Sequence, residues 1–443
     1  MPNSLTWEID GWIILAGALC ATAAALLGNF LVLRRMSLLG DAISHAVLPG
    51  LVAAFLFTGE RQGVIMFIGA ASVGVLTVLL TEFARQVGKV DEGAAIGVVF
   101  TFLFAVGLMM VSRWADHVDL DPGCVLYGAL ETTIFDSVHI GSIWVPRTVI
   151  TLGSVVCLNL FFVTVFYRQL KVSTFDAELA KSQGVPVGWL RYSLAACVAV
   201  TAVAAFESVG NILVVAMFVV PPVTAWLLTD RLHVMIVLSS VIGILCAVAG
   251  HFAAMYVPAL FGYPSTNTAG MMTVAAGGVL IAAILFAPRK GIVSRTLTRL
   301  NTALKILGED VLATLYRAEQ NGHTALSAQV VRKSLLVPPM RAYIVFSWLR
   351  LTGQIVQPVQ ASGGAQLALK PTGRRIAQNV VRAHRLWEQY LSLEAGLPEQ
   401  LLHGGAERLE HFTDRELREK LSEETDRPHL DPHGAPIPPE AGE

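Results

Sequence analysis

Asp41 and His45 stand out because they are ionisable side chains within a long apolar run, the stretch RRMSLLGDAISHAVLPG from Arg34 to Gly50. Residues four apart on a helix share a face, with β-carbons about 5–6 Å apart, so both side chains could contact one divalent ion. A carboxylate together with an imidazole suits Mn²⁺, Fe²⁺ or Zn²⁺. The alternative is a mutual hydrogen bond or ion pair that only locks two helices together.

A second group of histidines and glutamates lies near the other end of the chain. Its members, in RAHRLWEQYL and LLHGGAERLEH, are His384, Glu388, His403, Glu407, Glu410 and His411. His384 and Glu388 have i, i+4 spacing, and so do Glu407 and His411, with Glu410 between them on the same side. This many nitrogen and oxygen ligands in a short segment could bind a divalent ion. From the pattern alone, an equal alternative is that they decorate exposed amphipathic helices.

Composition separates the two groups into different environments. Hydrophobic residues make up 54% of the 443 positions and charged residues only 15%, against roughly a quarter in soluble domains. Charges are scarce before about residue 290 and ordinary after it. We therefore expect an all-α polytopic membrane domain over residues 1–290 and a soluble part beyond. The acidic, polar N-terminus predicts no cleavable signal peptide, and the scattered cysteines predict neither disulfides nor a thiolate metal site.

The first part contains enough apolar sequence for about nine spans. A spanning helix needs about 20 mainly apolar residues. Pro49-Gly50 should interrupt the second candidate and Pro221-Pro222 the seventh, and helix breaks at membrane depth are tolerated beside a cavity or a neighbouring helix. We expect these two helices to line a pathway. The nine candidates are 11–33, 38–58, 63–83, 94–112, 146–166, 188–206, 209–228, 234–256 and 269–287.

Basic residues follow every odd-numbered span, which predicts a multi-pass membrane protein with an external N-terminus and a cytoplasmic tail. Four other polar residues in the apolar part stand near predicted helix ends, and we expect them to reach the membrane interface: Glu82, Glu207, Asn211 and His251. One inside loop, VSTFDAELAKSQGVP, predicts a short helix with Ser173 at its cap and Gly184 at its end. It is either a docking element or a plain surface loop.

The stretch LRRMSLLGDAISHAVLPG resembles the signature of the membrane permeases of bacterial ABC importers for manganese, zinc and iron. The similarity covers about residues 10–290 and includes DEGAAIGVVFTFLFAVGLMM, STFDAELAKSQGVP and VGNILVVAMFVVPPVTAW. The resemblance implies a permease dimer, of like or unlike subunits, and an extracytoplasmic metal-binding protein. It implies that Asp41 and His45 line the path of the ion, which is the substrate.

The same resemblance implies that residues 173–184 form a coupling helix on a separate ABC ATPase subunit, with contacts from Phe175, Asp176, Ala180 and Gly184. No GxxxxGK[ST] motif occurs in the chain, so it cannot supply its own phosphate-binding loop. We therefore predict a transport subunit rather than an enzyme, with ATP hydrolysed by another polypeptide. A transporter driven by an ion gradient is the alternative, which the coupling-helix loop disfavours.

The tail has the layout of a winged helix followed by a helical domain. GEDVLATLYRAEQNG predicts an amphipathic helix, and HTALSAQVVRKSLLVPPMRAYIVFSWLRLTGQIV predicts two helices around a turn. Two short strands around Gly363-Gly364 then precede another helix. We expect a winged-helix-like domain over 291–372 and a helical metal-binding, dimerisation-like domain over 373–443 with a flexible end.

LKPTGRRIAQNVVRAHRLWEQYL, AERLEHFTDRELREKL and DPHGAPIPP resemble the iron- and manganese-dependent repressors of the diphtheria-toxin-repressor family, over about residues 303–437. Asp310 and Glu407 stand where members of that family also have Met and Cys, and hard oxygen ligands favour manganese. Glu388 and His403 match ancillary ligands. The positions implied as metal ligands are Asp310, His384, Glu407, Glu410 and His411.

The second helix after the turn departs from that family. It carries the apolar residues Met340, Ile344, Val345, Phe346 and Trp348 and only two arginines, Arg341 and Arg350. DNA binding needs several cationic phosphate contacts, so we expect a packing surface here rather than a DNA-binding one. The sequence thus predicts a metal-importer permease with a regulatory, metal-sensing tail. The alternative is a membrane-tethered, metal-dependent transcriptional regulator.

Overall fold

Long apolar helices dominate the amino-terminal part of the chain. The computed structural model describes residues 7–58, 64–114, 130–140, 143–356 and 366–442, and the chain divides into two units, Met1–Arg295 and Thr296–Glu443. The helices of the first unit are α1 (Trp7–Leu33), α2 (Leu39–Ala46), α3 (Leu48–Thr58), α4 (Val64–Gly88), α5 (Glu92–Trp114), α6 (Arg147–Val165), α7 (Tyr167–Phe175), α8 (Ala177–Ser182), α9 (Val187–Val209), α10 (Asn211–Leu228), α11 (Leu232–Tyr256) and α12 (Thr268–Phe286). Its strands β1 (Ser137–Ile140) and β2 (Ile143–Pro146) pair antiparallel.

Within the described ranges, nine segments are long and apolar enough to cross a membrane, which confirms the number predicted from the sequence. One of them, Leu39–Thr58, consists of α2 and α3 with a break at Val47. The break has a simple cause: Pro49 has no N–H and cannot bond the carbonyl of His45 four residues earlier. The predicted interruption of this span is therefore present.

The predicted interruption at Pro221-Pro222 is wrong, because α10 continues as one helix through both prolines. Pro222 cannot donate to the carbonyl of Phe218, and that carbonyl instead lies against Gly28 of α1, where any β-carbon would clash with it. Helices approach closely in membranes where small residues meet the backbone of a neighbour. The close approach of α1 therefore supports α10 at the position where its own hydrogen bond is missing.

Polar side chains inside the first unit join its helices. Asn29 of α1 donates to Ser239 Oγ of α11 at 2.8 Å, and Asn159 of α6 donates to Thr201 Oγ1 of α9 at 2.8 Å. Asn159 also donates to the carbonyl of Ala23 in α1 at 3.1 Å. Hydrogen bonds between spans replace the water that these amides lose. These amides thus hold α1 against α11 and α6, and α6 against α9.

Two of the residues expected at the membrane interface, Glu82 and His251, are buried against ionisable partners. Glu82 of α4 lies 2.8 Å from Arg85 and 3.3 Å from Arg191 of α9, and His251 of α11 lies 3.2 Å from Asp10 of α1. Each has an oppositely charged or hydrogen-bonding partner on another helix of the bundle, which periodicity does not reveal. Asn211, also expected at the interface, is buried as well, and the side chain of Glu207 is outside the described part.

The second unit is a winged-helix-like fold followed by helices. Its three short strands pair antiparallel, with Gln366–Leu369 between Leu326–Ser327 and Ile355–Val356. The predicted turn at Gly363-Gly364 lies outside the described residues. Val311, Leu315, Val331, Val345 and Leu349 belong to its apolar core. The elements are α13 (Ile292–Gln320, beginning in the first unit), β3 (Leu326–Ser327), α14 (Ala328–Ser334), α15 (Pro339–Leu351), β4 (Ile355–Val356), β5 (Gln366–Leu369), α16 (Pro371–Leu393), α17 (Glu399–Leu409) and α18 (Arg415–Glu424).

We expect Gly28→Ala to destabilise the membrane unit, because its methyl group would collide with the carbonyl of Phe218. Overpacking of this kind typically costs about 1–3 kcal/mol. The measurement is thermal unfolding of the detergent-solubilised protein, with Gly153→Ala as the matched control, since nothing lies within 4 Å of a β-carbon at that position. Equal melting temperatures for the two variants would contradict the close α1–α10 contact.

Candidate metal sites

Asp41 and His45 lie on one face of α2, as their spacing predicts. The Asp41 Oδ1–His45 Nε2 distance is 3.6 Å, and the side chains are 43% and 38% exposed. Leu39 and Ile43, on the other face, are buried. A separation of 3.6 Å is too long for a hydrogen bond, but two ligand atoms that share one ion at about 2.1 Å can stand that far apart.

Within the part of the chain that the structure describes, contact between Asp41 and His45 does not join two helices, which was the alternative open from the sequence. Both side chains belong to α2, so contact between them joins no second element. The nearest rings to His45 are Phe100 and Phe104 of α5, with centroids 6.3 and 6.0 Å away. Aromatic rings contribute no metal ligand, so the carboxylate and the imidazole remain available to an ion or to a neighbouring chain.

The loop predicted as a coupling element is folded into α7 and α8. Asp176 caps α8 by accepting hydrogen bonds from the backbone N–H groups of Glu178 and Leu179. The predicted cap at Ser173 is wrong, because α7 continues through Ser173, which accepts a hydrogen bond from Arg34 at 2.9 Å. Arg34 also donates to Thr174 Oγ1 at 3.1 Å. The chain between α1 and α2 is thus bonded to the last turn of α7.

The residues implied as ATPase contacts differ in exposure. Phe175 is 62% exposed and Ala180 is fully buried. Gly184 follows α8 with φ of +76°, a conformation that favours glycine. Phe175 therefore presents an apolar surface, whereas Ala180 packs against the chain itself and presents none.

Asp310, Glu410 and His411 form the first candidate metal group of the tail. Asp310 comes from α13, and the other two come from the 3₁₀ turn Glu410–Phe412. His411 Nε2 lies 3.1 Å from Asp310 Oδ1 and 3.4 Å from Glu410 Oε1. We call these three residues the oxygen-rich group, because two of its three members are carboxylates.

Glu309 is a neighbour of this group that sequence reasoning missed. Its Oε2 atom lies 2.8 Å from His411 Nδ1, on the opposite side of the ring from Asp310. Burial alone would lower the pKa of His411, but hydrogen bonds to Asp310 and Glu309 outweigh burial and raise that pKa to about 10. The positive charge of the His411 ring thus offsets the negative charge of the neighbouring carboxylates, as a bound cation would. The signal available in the sequence was that Glu309 is directly followed by Asp310 in the stretch GEDV.

Glu407 does not share a helical face with His411, which corrects a prediction. The helix α17 ends at Leu409 and the chain enters a 3₁₀ turn, so i, i+4 geometry does not extend to His411. Glu407 is exposed and belongs to neither group of potential ligands identified in the described residues. The argument for manganese from this residue therefore has no support in the geometry.

His384, Glu388 and His403 form the second candidate metal group. His384 and Glu388 lie on α16 and His403 on α17. Glu388 Oε1 lies 3.0 Å from His384 Nε2 and 3.1 Å from His403 Nδ1, and the two imidazole nitrogens are 2.9 Å apart. Their chemistry fits a divalent ion that accepts imidazole and carboxylate ligands. We call these three residues the imidazole group.

His384 connects the two groups. Its Nε2 atom faces Glu388, and its Nδ1 atom lies 2.6 Å from Glu410 Oε2. Burial would lower the pKa of His384, but hydrogen bonds to Glu388 and Glu410 outweigh it and raise that pKa. For Glu388, burial would raise the pKa, but hydrogen bonds to His384 and His403 lower it. His384 thus forms buried charge pairs with Glu388 and Glu410. An ion that binds these side chains would displace the protons they share.

Two family models match two separate parts of the chain. The model of the ABC 3 transport family matches residues 8–287. The chain belongs to that family. Residues 370–439 match the metal binding and dimerisation domain of iron dependent repressors. This ABC 3 family member therefore carries a repressor-like domain that contains every residue of the imidazole group.

Two relatives align with this ABC 3 permease over nearly their whole length. The manganese transport system membrane protein MntD of Bacillus subtilis (strain 168) is 41% identical over 66% of the chain and 97% of its own length. The zinc transport system membrane protein TroD of Treponema pallidum (strain Nichols) is 34% identical over 83% and 97%. The solved structure of PsaBC from Streptococcus pneumoniae in complex with Fab is 27% identical, with a TM-score of 0.51, over 63% of the chain and 92% of its own.

We expect metal binding by the oxygen-rich group to strengthen as the pH rises. His411 is protonated at neutral pH, since its pKa is about 10, and an ion bound to its ring must displace that proton. The dissociation constant for Mn²⁺ should fall about tenfold per pH unit for each proton released. The dissociation constant for Mn²⁺ is measured by titration between about pH 7 and pH 9. The full-length protein used carries Asp41→Ala and His45→Ala, so that the α2 pair does not contribute.

Glu309→Gln is the informative companion variant in those titrations. It removes one of the hydrogen bonds that raise the pKa of His411, so its Mn²⁺ affinity should depend less steeply on pH. An affinity that does not change with pH in either protein would contradict the proton displacement.

Proposed function

We propose that this chain is the permease subunit of an ABC importer for a divalent transition metal ion, with Mn²⁺ favoured over Fe²⁺ and Zn²⁺. The observation that carries the proposal is the open carboxylate–imidazole pair on α2, within a broken span. Ionisable residues in spans are costly and generally serve ion pathways. The names of the relatives, which include manganese and zinc transport proteins, support the class of substrate.

The orientation and the partners are part of the same proposal. Basic residues after alternate spans favour an external N-terminus and a cytoplasmic tail. The chain works with a separate ATPase subunit at α8, a second permease subunit and an extracytoplasmic metal-binding protein. Exposed Phe175 and the Asp176 cap suit α8 to fill an ATPase groove. Residues 1–290 form the transport part, with a winged-helix-like part over 291–372 and a metal-binding part over 373–443.

The tail acts as a sensor of cytosolic metal. Two groups of potential ligands in the described part of the tail support this role. The role of a membrane-tethered DNA-binding regulator is disfavoured, because the helix that would contact DNA, α15, exposes Met340, Tyr343, Ile344 and Leu351. Such a surface offers few of the cationic contacts that phosphates require.

Asp41→Ala and His45→Ala should each lower metal uptake by whole cells by at least about tenfold, as loss of metal-site residues commonly does. Uptake of Mn²⁺, Fe²⁺ and Zn²⁺ is measured in parallel in a strain lacking the native chain. His233→Ala, an exposed histidine of α11, is the matched control and should transport normally. Normal accumulation of all three ions in the α2 variants would remove the pathway assignment.

Glu410→Gln with His411→Gln should release the importer from feedback by its own product. Initial Mn²⁺ uptake rates are compared before and after the cells are preloaded with Mn²⁺. Preloading should slow the wild type about 5-fold or more, the range of ordinary allosteric coupling, but not the variant. Glu416→Gln on α18, a well exposed glutamate, is the control. A variant that slows as much as the wild type would contradict a sensing role.

A further inference from the structure

The first half of α13 carries apolar residues that its own chain leaves exposed. Apolar residues recur along it at intervals of four and three, which places them on one face of a helix: Val293, Leu297, Leu300, Leu304 and Leu307. The last two pack against the core of the second unit. Leu297 and Leu300 are each 55% exposed, and Val293 is 38% exposed. We call Val293, Leu297 and Leu300 the open stripe. Exposed apolar surface of this kind marks contact with lipid or with another chain.

Every ionisable residue around the open stripe is basic. Residues 287–308 contain five arginines and lysines and no aspartate or glutamate. Arg295 and Arg299 lie on the side of α13 away from the stripe, together with Thr298 and Thr302, and all four are exposed. Leucines on one face and basic side chains on the other are typical of helices that lie in the interface of a membrane.

The start of α13 is anchored beside the last spans. The helix α12 ends before Ala287, which has an extended ψ of 134°, because Pro288 disfavours helical backbone in the residue before it. Lys290 Nζ donates to the carbonyl of Trp226 at 2.8 Å and lies 4.3 Å from the centre of the Trp226 ring, near the end of α10. Tryptophan and lysine side chains anchor spans at the level of the lipid headgroups. This anchor predicts that α13, which begins at Ile292, begins close to that level.

A second copy of the chain is the other surface that the open stripe could meet. Intervals of four and three also suit a two-helix coiled coil, but sustained pairing takes about three or four heptads, whereas the open stripe covers little more than one. Pairing would also bring the arginines of both copies toward each other, with no acidic residue to offset them. Anionic lipids of a leaflet attract basic residues beside a span. Length and charge therefore both favour lipid.

We propose that residues 292–303 of α13 lie in the headgroup layer of a membrane that contains anionic lipid. The open stripe faces the acyl chains, and Arg295 and Arg299 contact lipid phosphates. The inference goes beyond the proposed transport and sensing functions, because it concerns the segment that joins the spans to the tail. The charge of the surrounding lipid would set how firmly this connection is held.

The test places one spin label at a time on α13 of the full-length protein, with the native cysteines replaced by alanine. The protein is reconstituted in nanodiscs of phosphatidylcholine with or without phosphatidylglycerol. With phosphatidylglycerol, labels at Leu297→Cys and Leu300→Cys should be relaxed by oxygen, which concentrates in lipid. Labels at Thr298→Cys and Thr302→Cys are the matched controls on the other face and should be relaxed by a water-soluble nickel complex.

The charge requirement is tested by Arg295→Gln together with Arg299→Gln. The equilibrium constant for attachment should fall about fivefold for each charge removed, so oxygen contact at Leu300→Cys should decrease in the phosphatidylglycerol nanodiscs. Thr298→Gln together with Thr302→Gln changes the same face without removing charge and should leave oxygen contact unchanged.

Three results would overturn the proposal. The first is nickel contact at all four labelled positions in both lipids, and the second is equal oxygen contact at the leucine positions with and without phosphatidylglycerol. The third is magnetic coupling between leucine-position labels of two copies, which would assign the open stripe to a coiled coil. Because these measurements involve neither transport nor metal, they stand apart from the outcome of the uptake and feedback experiments.

Discussion

A polar group that leaves water must find a partner, and the membrane unit is organised around this constraint. Amides and carboxylates between its helices meet hydroxyls, carbonyls, arginines or imidazoles on neighbouring helices: Asn29 with Ser239, Asn159 with Thr201, Glu82 with Arg191 and Asp10 with His251. Asp41 and His45 depart from this rule, because they stand 3.6 Å apart and are more than a third exposed. Their ligand atoms are directed away from the unit's own core, toward whatever passes or packs beside α2.

The position of this pair along the chain matters as much as its chemistry. Asp41 follows Arg34 closely in sequence. Arg34 donates hydrogen bonds to Ser173 and Thr174 in the last turn of α7, just before α8. Coupling between distant sites is carried by contiguous packed or hydrogen-bonded groups. The proposed ATPase-contact segment and the proposed ion-pathway helix are therefore connected through one guanidinium group. The break at Val47 divides this span near its middle. The first half, α2, can therefore move separately from the second half, α3.

Periodicity and hydropathy predicted the spans and the pairing of His384 with Glu388, since both depend only on local spacing. The failures share one cause, which is that tertiary contacts do not appear in local spacing. Pro221 and Pro222 do not break α10, because Gly28 lets α1 approach its backbone. Glu407 does not join His411, because α17 ends between them.

His384 explains why the two ligand groups of the tail cannot act independently. An imidazole has two ring nitrogens, and those of His384 face Glu388 on one side and Glu410 on the other. When an ion takes Nε2, the remaining proton must sit on Nδ1 and be donated to Glu410, an arrangement that orients metal-bound histidines generally. Glu410 is itself a member of the oxygen-rich group. An ion in the proposed imidazole site would therefore fix the orientation of Glu410, a carboxylate of the proposed oxygen-rich site, so that His384 would link the two sites.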